Sequence, residues 1–245
     1  MKKGTTMKHW AIAILLMILG GGMSAKSMGG VGDYAKAMAE RALEPRHASW
    51  KEEVLLHDGR KLVVERSQTY GGRHEIGQKP PVKEQKLTFT LPGSNRPITW
   101  RSEYSEDVGR ANLNLLALHV LNGTPYIVAE PNLCLAYNKW GRPNPPYVFF
   151  RFDGRAWQRI SLPEFPVEFK DINVVINTLE HAEEMSRHGE ASAADVKKFN
   201  SSLLRYPSEH AEYKTIVREP LARERCPQYP SRPKAPFPIT PAPPK

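Results

Sequence analysis

The 245-residue chain has no Gly-x-Ser-x-Gly elbow, no Gly-x4-Gly-Lys loop, no Cys-x-x-Cys pair and no calcium-loop pattern. Each absence removes one motif-borne chemistry: an elbow-mounted nucleophile, a phosphate cradle, a paired-thiol redox or zinc site, a carboxylate calcium site. An enzyme of another kind would have to assemble its site from residues that spacing does not advertise. Blocks of like charge are also missing. Lys and Arg number 35 against 26 Asp and Glu, a formal net charge of +9, but they are scattered. A moderately basic balance favours acidic surfaces such as anionic lipid, cell-wall polymer or nucleic acid; without a basic cluster, nucleic acid ranks last among them. Cysteine is scarce, with Cys134 and Cys226 alone.

A comfortable membrane span is lacking as well. The uncharged run Trp10–Met23 is 14 residues long, holds 11 apolar residues, and is weakened by Gly20, Gly21 and Gly22. A spanning helix needs about 20 apolar residues. Lys2, Lys3 and Lys8 precede the run and the small residues Ser24 and Ala25 follow it, the basic, apolar, small order of a secretory signal. Cleavage is expected after Ala25, although Met23 fits the minus-three position poorly, and no Cys follows to make a lipoprotein site. The alternative is an uncleaved anchor, the one case that implies membrane association. Either way the bulk of the chain is expected outside the cytoplasm, periplasmic or secreted. Removing residues 1–25 lowers the formal net charge from +9 to +6, because three lysines and no acids are lost. In an oxidising compartment Cys134 and Cys226 are expected to form one disulfide, which in the chain-entropy view contributes about 4 kcal/mol.

With 40% hydrophobic residues the remainder can build a core, read as a single globular domain over 26–225. Val31, Tyr34, Ala35, Met38, Ala42 and Leu43 recur at helical spacing before Pro45. The texture then changes to strand-like runs around turn signals over about 50–166. Trp50–Tyr70 turns at Asp58-Gly59, Lys86–Trp100 at a Pro/Gly/Asn loop, Leu113–Glu130 at Asn122-Gly123, and Pro146–Leu162 at Asp153-Gly154. Turn centres recur about every 30 residues, yet four hairpins make only two propeller blades, so a closed propeller is rejected. A two-residue turn at Asp153-Gly154 would set Phe150 opposite Trp157 and Tyr147 opposite Ile160. Aromatics on both faces of Tyr147–Phe152 place that strand inside a sandwich or barrel. Helical patterns follow over about 171–218: Asp171–His188, stopped by Gly189, and Ser192–Arg205, opened by a capping-box pair, Ser192 and Asp195. Cys226–Lys245 holds eight prolines in twenty residues and reads as an extended tail or spacer. The expected class is α+β, mainly antiparallel β, with an amino-terminal helix, a carboxy-terminal helical pair and a proline-rich tail.

Candidate sites are few. Tyr137, Trp140, Arg142 and Tyr147 lie in the stretch Asn132–Tyr147, where flat rings beside hydrogen-bonding groups suit a sugar or peptide platform. Packing of the same rings against the sheet is the competing account. His181, Glu184 and His188 form one helical stripe that offers metal ligands but lacks the His-Glu-x-x-His order and reads more simply as a solvated face. His74-Glu75, after Gly71-Gly72, could present a loop base, with no partner nucleophile in view. Gly29-Gly30-Val31-Gly32 reads as linker rather than anion cradle. No spacing calls for a cofactor or a metal, and no catalytic residue is assigned.

LNGTPYIVAEPNLC together with NPPYVFFRFDGRAWQRISLPEFP, within Leu121–Pro166, resembles uncharacterised secreted proteobacterial proteins. The resemblance spans about a fifth of the chain, implies export and brings no activity with it. The reading that follows is an extracytoplasmic, non-enzymatic binding or interaction module whose partner is envelope polymer or another envelope protein. A polymer hydrolase and a membrane-anchored scaffold are its rivals.

Overall fold

Strict alternation decides which way the first strands face. In β1 (His47–Leu55) Ala48, Trp50, Glu52 and Val54 are buried and the residues between them face outward. β2 (Lys61–Tyr70) and β4 (Pro97–Ser102) repeat the pattern, β3 (Val82–Thr90) does so from Gln85 onward, and the strands pair in sequence, all antiparallel. The computed structural model describes residues 47–75, 78–176, 178–202 and 211–226, all within the compact unit Pro45–Lys245. The expected signal segment, the helix expected over Val31–Leu43 and the expected tail beyond Cys226 lie outside the described residues.

After a two-residue ladder of β5 (Tyr104–Ser105) and β6 (Arg110–Ala111), four more strands form a second sheet. They are β7 (Leu113–Leu121), β8 (Thr124–Pro131), β9 (Val148–Phe152) and β10 (Trp157–Ile160), in spatial order β10-β9-β8-β7. The first sheet reads β11-β1-β2-β3-β4, where β11 (Glu190–Ala191) pairs in parallel with β1. The fold is α+β with mainly antiparallel sheets and, among the described residues, three α-helices: α1 (Leu133–Lys139), α2 (Thr178–His188) and α3 (Ala193–Ser202).

The two sheets share one aliphatic core. Val54, Leu62, Val64, Leu87, Phe89 and Trp100 meet Leu113, Leu115, Leu118, Val120, Ile127 and Val148. Removing one such side chain from water is worth roughly 1.5–3 kcal/mol, so this layer supplies the bulk of the cohesion. The same face of the five-stranded sheet continues under the helices, where Ala48 and Trp50 pack on Val175, Ala182, Met185 and Val196. Between the two patches sits a buried ion pair, Arg66 to Glu52 at 2.7 Å. Glu52 also accepts the Trp50 indole N–H at 2.8 Å, and the Arg66 guanidinium lies 5.3 Å from the Trp50 ring centroid, so the charges are paired and hydrogen-bonded as burial demands.

Side-chain hydrogen bonds tie the open sides of the sandwich. On the β1/β7 side Asn173 accepts the Leu118 N–H at 3.0 Å and donates to Leu55 O at 3.0 Å and Leu118 O at 2.7 Å. On the β4/β10 side the Trp157 indole donates to Thr99 O at 2.8 Å. The outer face of the four-stranded sheet is covered by two returning segments, Leu162–Ile176 and Tyr213–Arg225, called here the strap. Phe165, Phe169 and Ile216 pack there on Leu116, Val128, Tyr147 and Phe149. The expected Cys134–Cys226 disulfide is present, with Cα atoms 5.6 Å apart, and fastens the end of the strap to α1.

All four expected hairpins form, with two corrections of detail. Asn122 and Gly123, at φ 51° and 76°, make the two-residue turn their sequence favours. Asp58-Gly59 does not: Leu55 pairs with Lys61, and Leu56 exchanges hydrogen bonds with Arg60 and Gly59, so the loop is His57–Gly59 with Gly59 alone at positive φ. In the last hairpin Trp157 pairs with Phe152, Arg159 with Phe150 and Ile160 with Phe149, two residues off the expected register. Asp153 is the cause, because its carboxylate accepts the N–H groups of both Arg155 and Ala156 at 2.8 Å and lengthens the turn. The β9 strand does carry aromatics on both faces, Phe150 and Phe152 inward and Phe149 toward the strap, with Tyr147 just before it.

Helical periodicity over Asp171–His188 also overreaches, since α2 starts at Thr178. Residues 171–176 are recruited instead into the strap, where Asp171 bridges to Thr215 and Asn173 ties the sandwich edge. The Ser192–Asp195 box forms as expected: Ser192 N–H and Oγ–H donate to Asp195 at 3.0 and 2.6 Å, and Asp195 N–H returns to Ser192 Oγ at 3.2 Å.

Candidate functional site

The aromatic stretch Asn132–Tyr147 is not an open loop. Its first half is α1, and its rings turn inward: Tyr137 is 1% and Tyr147 3% exposed. The Tyr147 hydroxyl donates to Glu212 O at 2.9 Å and Thr215 O at 3.2 Å and accepts the Val217 N–H at 3.4 Å. Burial pushes that hydroxyl's pKa well up, as it does more modestly for Tyr137. Trp140 packs edge-on against Phe150 with the Arg159 guanidinium over it, 5.5 Å from the ring centroid. Arg142 donates to Asn138 Oδ1 at 2.6 Å and also to Glu224 and the Cys226 carbonyl. Of the platform expected from Tyr137, Trp140, Arg142 and Tyr147, the two tyrosine rings are buried and the cation holds the strap.

The other polar candidates are dispersed. His74 lies on an exposed loop with Nδ1 2.9 Å from Gly72 O, and Glu75 accepts from Gln78 at 3.3 Å. His181 packs on Phe199 at 4.9 Å and lies 3.8 Å from Glu184, while His188 is exposed. Among the described residues no cluster of three or more His, Cys, Asp or Glu side chains is grouped as a metal site.

A cleft of about 380 Å³ opens on the β1/β7 side of the sandwich. Its walls come from the end of β1 (Glu53, Leu55), the strap (Asp171, Ile172, Asn173, Tyr213, Lys214) and α3 (Ala193, Lys197, Asn200, Ser201). The positioning is built from the backbone outward. Glu53 Oε2 accepts the Ala193 N–H at 3.1 Å and so pins the start of α3 to β1, while Lys61 Nζ donates to the same oxygen at 2.8 Å. The Lys61 hydrogen bond, then that of Ala193, keep the Glu53 carboxyl below its ordinary pKa. Farther along α3, Asn200 accepts the Ile176 N–H at 3.1 Å and donates to Val174 O at 2.8 Å, joining helix to strap. Asn173 and Asn200 are thus scaffolding whose hydrogen bonds are spent within the fold.

What the cleft offers a ligand is different. Leu55, 47% exposed, and Ile172 supply apolar surface. The Asp171 carboxylate and the Lys197 ammonium have no hydrogen-bonded or ion-paired side-chain partner among the described residues. Concave shape, apolar surface and a few convergent polar groups are the ordinary makings of a small-molecule site. A larger hollow of about 550 Å³ lies between the hairpin turns at Gly123–Tyr126 and Arg151–Gly154, but the Asp153 carboxylate there is consumed by its own turn. No spacing in the sequence pointed to the β1/β7 cleft, because its walls lie more than a hundred residues apart and meet only when the strap returns.

The chain matches no protein-family model, no curated protein and no solved structure.

Proposed function

We propose that the chain is an exported, non-enzymatic binding module whose ligand site is the β1/β7 cleft, and that the ligand is a small zwitterion with an apolar side group, such as a free amino acid or a dipeptide. The observation that carries this is the pairing, in one cleft of about 380 Å³, of a carboxylate and an ammonium that have no side-chain partner among the described residues with exposed Leu55. Asp171 takes the ligand's ammonium, Lys197 its carboxylate, and Leu55 with Ile172 its side chain. Export rests on the amino-terminal run of basic, apolar and small residues and agrees with the disulfide. Among the described residues no helix is long and apolar enough to cross a membrane.

Titration calorimetry of the mature protein against L-amino acids and dipeptides tests the reading. Affinity for at least one member is expected, falling at least about tenfold, or 1.4 kcal/mol, in Asp171→Asn and in Lys197→Ala. Heat of dilution alone across the panel, or equal affinity in both variants, sinks it.

A further inference from the structure

The two sulfurs of the disulfide live in different surroundings. Cys134 sits on the exposed side of α1 between Leu133 and Leu135, which are 53% and 54% exposed, whereas Cys226 is 3% exposed. A thiolate breaks a disulfide by attacking one sulfur and expelling the other, so access chooses the target. Here the target is Cys134 and the leaving group is Cys226.

The leaving group has a donor in waiting. Arg142 already grips Cys226 through its carbonyl, and the buried Nε–H of the same guanidinium has no acceptor among the described residues. Glu224 balances the Arg142 charge and Glu130 balances that of Arg225, so net charge is not what distinguishes the spot. The spare N–H is: a buried donor without an acceptor among the described residues, on the side chain that already holds the Cys226 backbone. Leu133 and Leu135, flanking the attacked sulfur, form a small apolar landing for whatever brings the thiol.

We infer that Cys134 is an exchange site for an external dithiol. The incoming thiolate bonds to Cys134 Sγ and the Cys134–Cys226 bond breaks, its electron pair leaving on Cys226. The second thiol of the reagent then attacks the reagent sulfur bonded to Cys134, and the electron pair of that bond leaves on Cys134. The reagent departs as its own disulfide, oxidised by two electrons, and the protein keeps two thiols. The strap remains seated through Tyr147, Asn144 and Arg218, which bond it independently of the sulfurs.

The test uses the oxidised mature protein, glutathione as a single-thiol probe to trap the mixed disulfide, and dithiothreitol to complete reduction. Peptide mapping after acid quench is expected to find glutathione on Cys134 in at least tenfold excess over Cys226. In Arg142→Gln, reduction by dithiothreitol should slow about threefold, because a less stabilised thiolate leaves more slowly. The wild-type adduct map stands alone should that variant fold poorly. Adducts shared equally, adducts on Cys226, or reduction that proceeds only as fast as global unfolding would overturn the assignment.

Discussion

The two faces of the four-stranded sheet are held by different physics. Toward the five-stranded sheet lie Leu113, Leu115, Leu118, Val120, Ile127 and Val148, whose cohesion is area removed from water, without direction and without protons. Toward the strap, apolar packing is threaded with directed bonds. His119 stacks on Phe169 at 4.6 Å and bonds through Nε2 to Asp171 O at 2.9 Å. Arg218 donates to Phe165 O at 3.2 Å, and Tyr213 and Arg225 gather on Glu130. Strands with matching periods find one another through pattern alone. A returning segment that is neither helix nor strand has no period to match, and named hydrogen bonds and one covalent bond must tell it where to lie.

That contrast can be broken at several points. The largest effect is expected on the inner face, where Leu118→Ala should cost about 2–5 kcal/mol by chemical unfolding, by nearly the same amount from pH 7 to pH 4. A strong pH dependence of that loss would show that the inner face also senses protons.

On the strap face the expectation is the opposite. A carbonyl only accepts, so His119 Nε2 carries the hydrogen and Nδ1 keeps a buried lone pair with no partner among the described residues. Burial lowers the His119 pKa from 6.5 to about 4, with nearby His57 adding to the fall and the Asp171 carbonyl and charge opposing it. The unfolded chain binds this proton first, so stability is whole above about pH 6.5 and declines as pH falls toward about 4, by roughly 3 kcal/mol. Urea midpoints at pH 7, 5 and 4 should trace that decline in the wild type and lose most of the slope in His119→Phe. An unchanged slope in the variant would remove His119 as its source.

Smaller effects sharpen the picture. Asn173→Ala leaves Leu118 and Leu55 backbone groups without their partner and should cost about 2 kcal/mol, with faster hydrogen exchange concentrated at the β1/β7 side. Tyr147→Phe keeps the ring in place and removes only the hydroxyl that joins the strap, for about 1 kcal/mol by thermal unfolding. A loss as large as that of Leu118→Ala would mean the strap contributes as much as the inner core.

The same division explains what could be read in advance. Alternation and turn residues announce β1 to β4 and β7 to β10, because period two and Asn-Gly or Asp-Gly pairs act over a few residues. The Cys134–Cys226 pairing was legible because only two thiols exist. The register of β9 with β10 was misread through one side chain, Asp153, whose bonds to two amides are tertiary detail in miniature. The aromatic stretch misled for a related reason: composition shows that Tyr137 and Tyr147 are amphipathic but not which way they point, and the strap that buries Tyr147 arrives some seventy residues later. The cleft was invisible because Glu53, Asp171 and Lys197 share no local signature.

The account stands most directly on the claim that this is an exported, oxidised module. One intact-mass measurement on protein recovered from the envelope fraction, quenched with an alkylating agent and never reduced, tests both halves. The predicted species begins near Lys26, carries no alkyl group and is lighter than its dithiol form by the two hydrogens a disulfide lacks. A full-length chain bearing two alkylated thiols, Cys134 and Cys226, would contradict it.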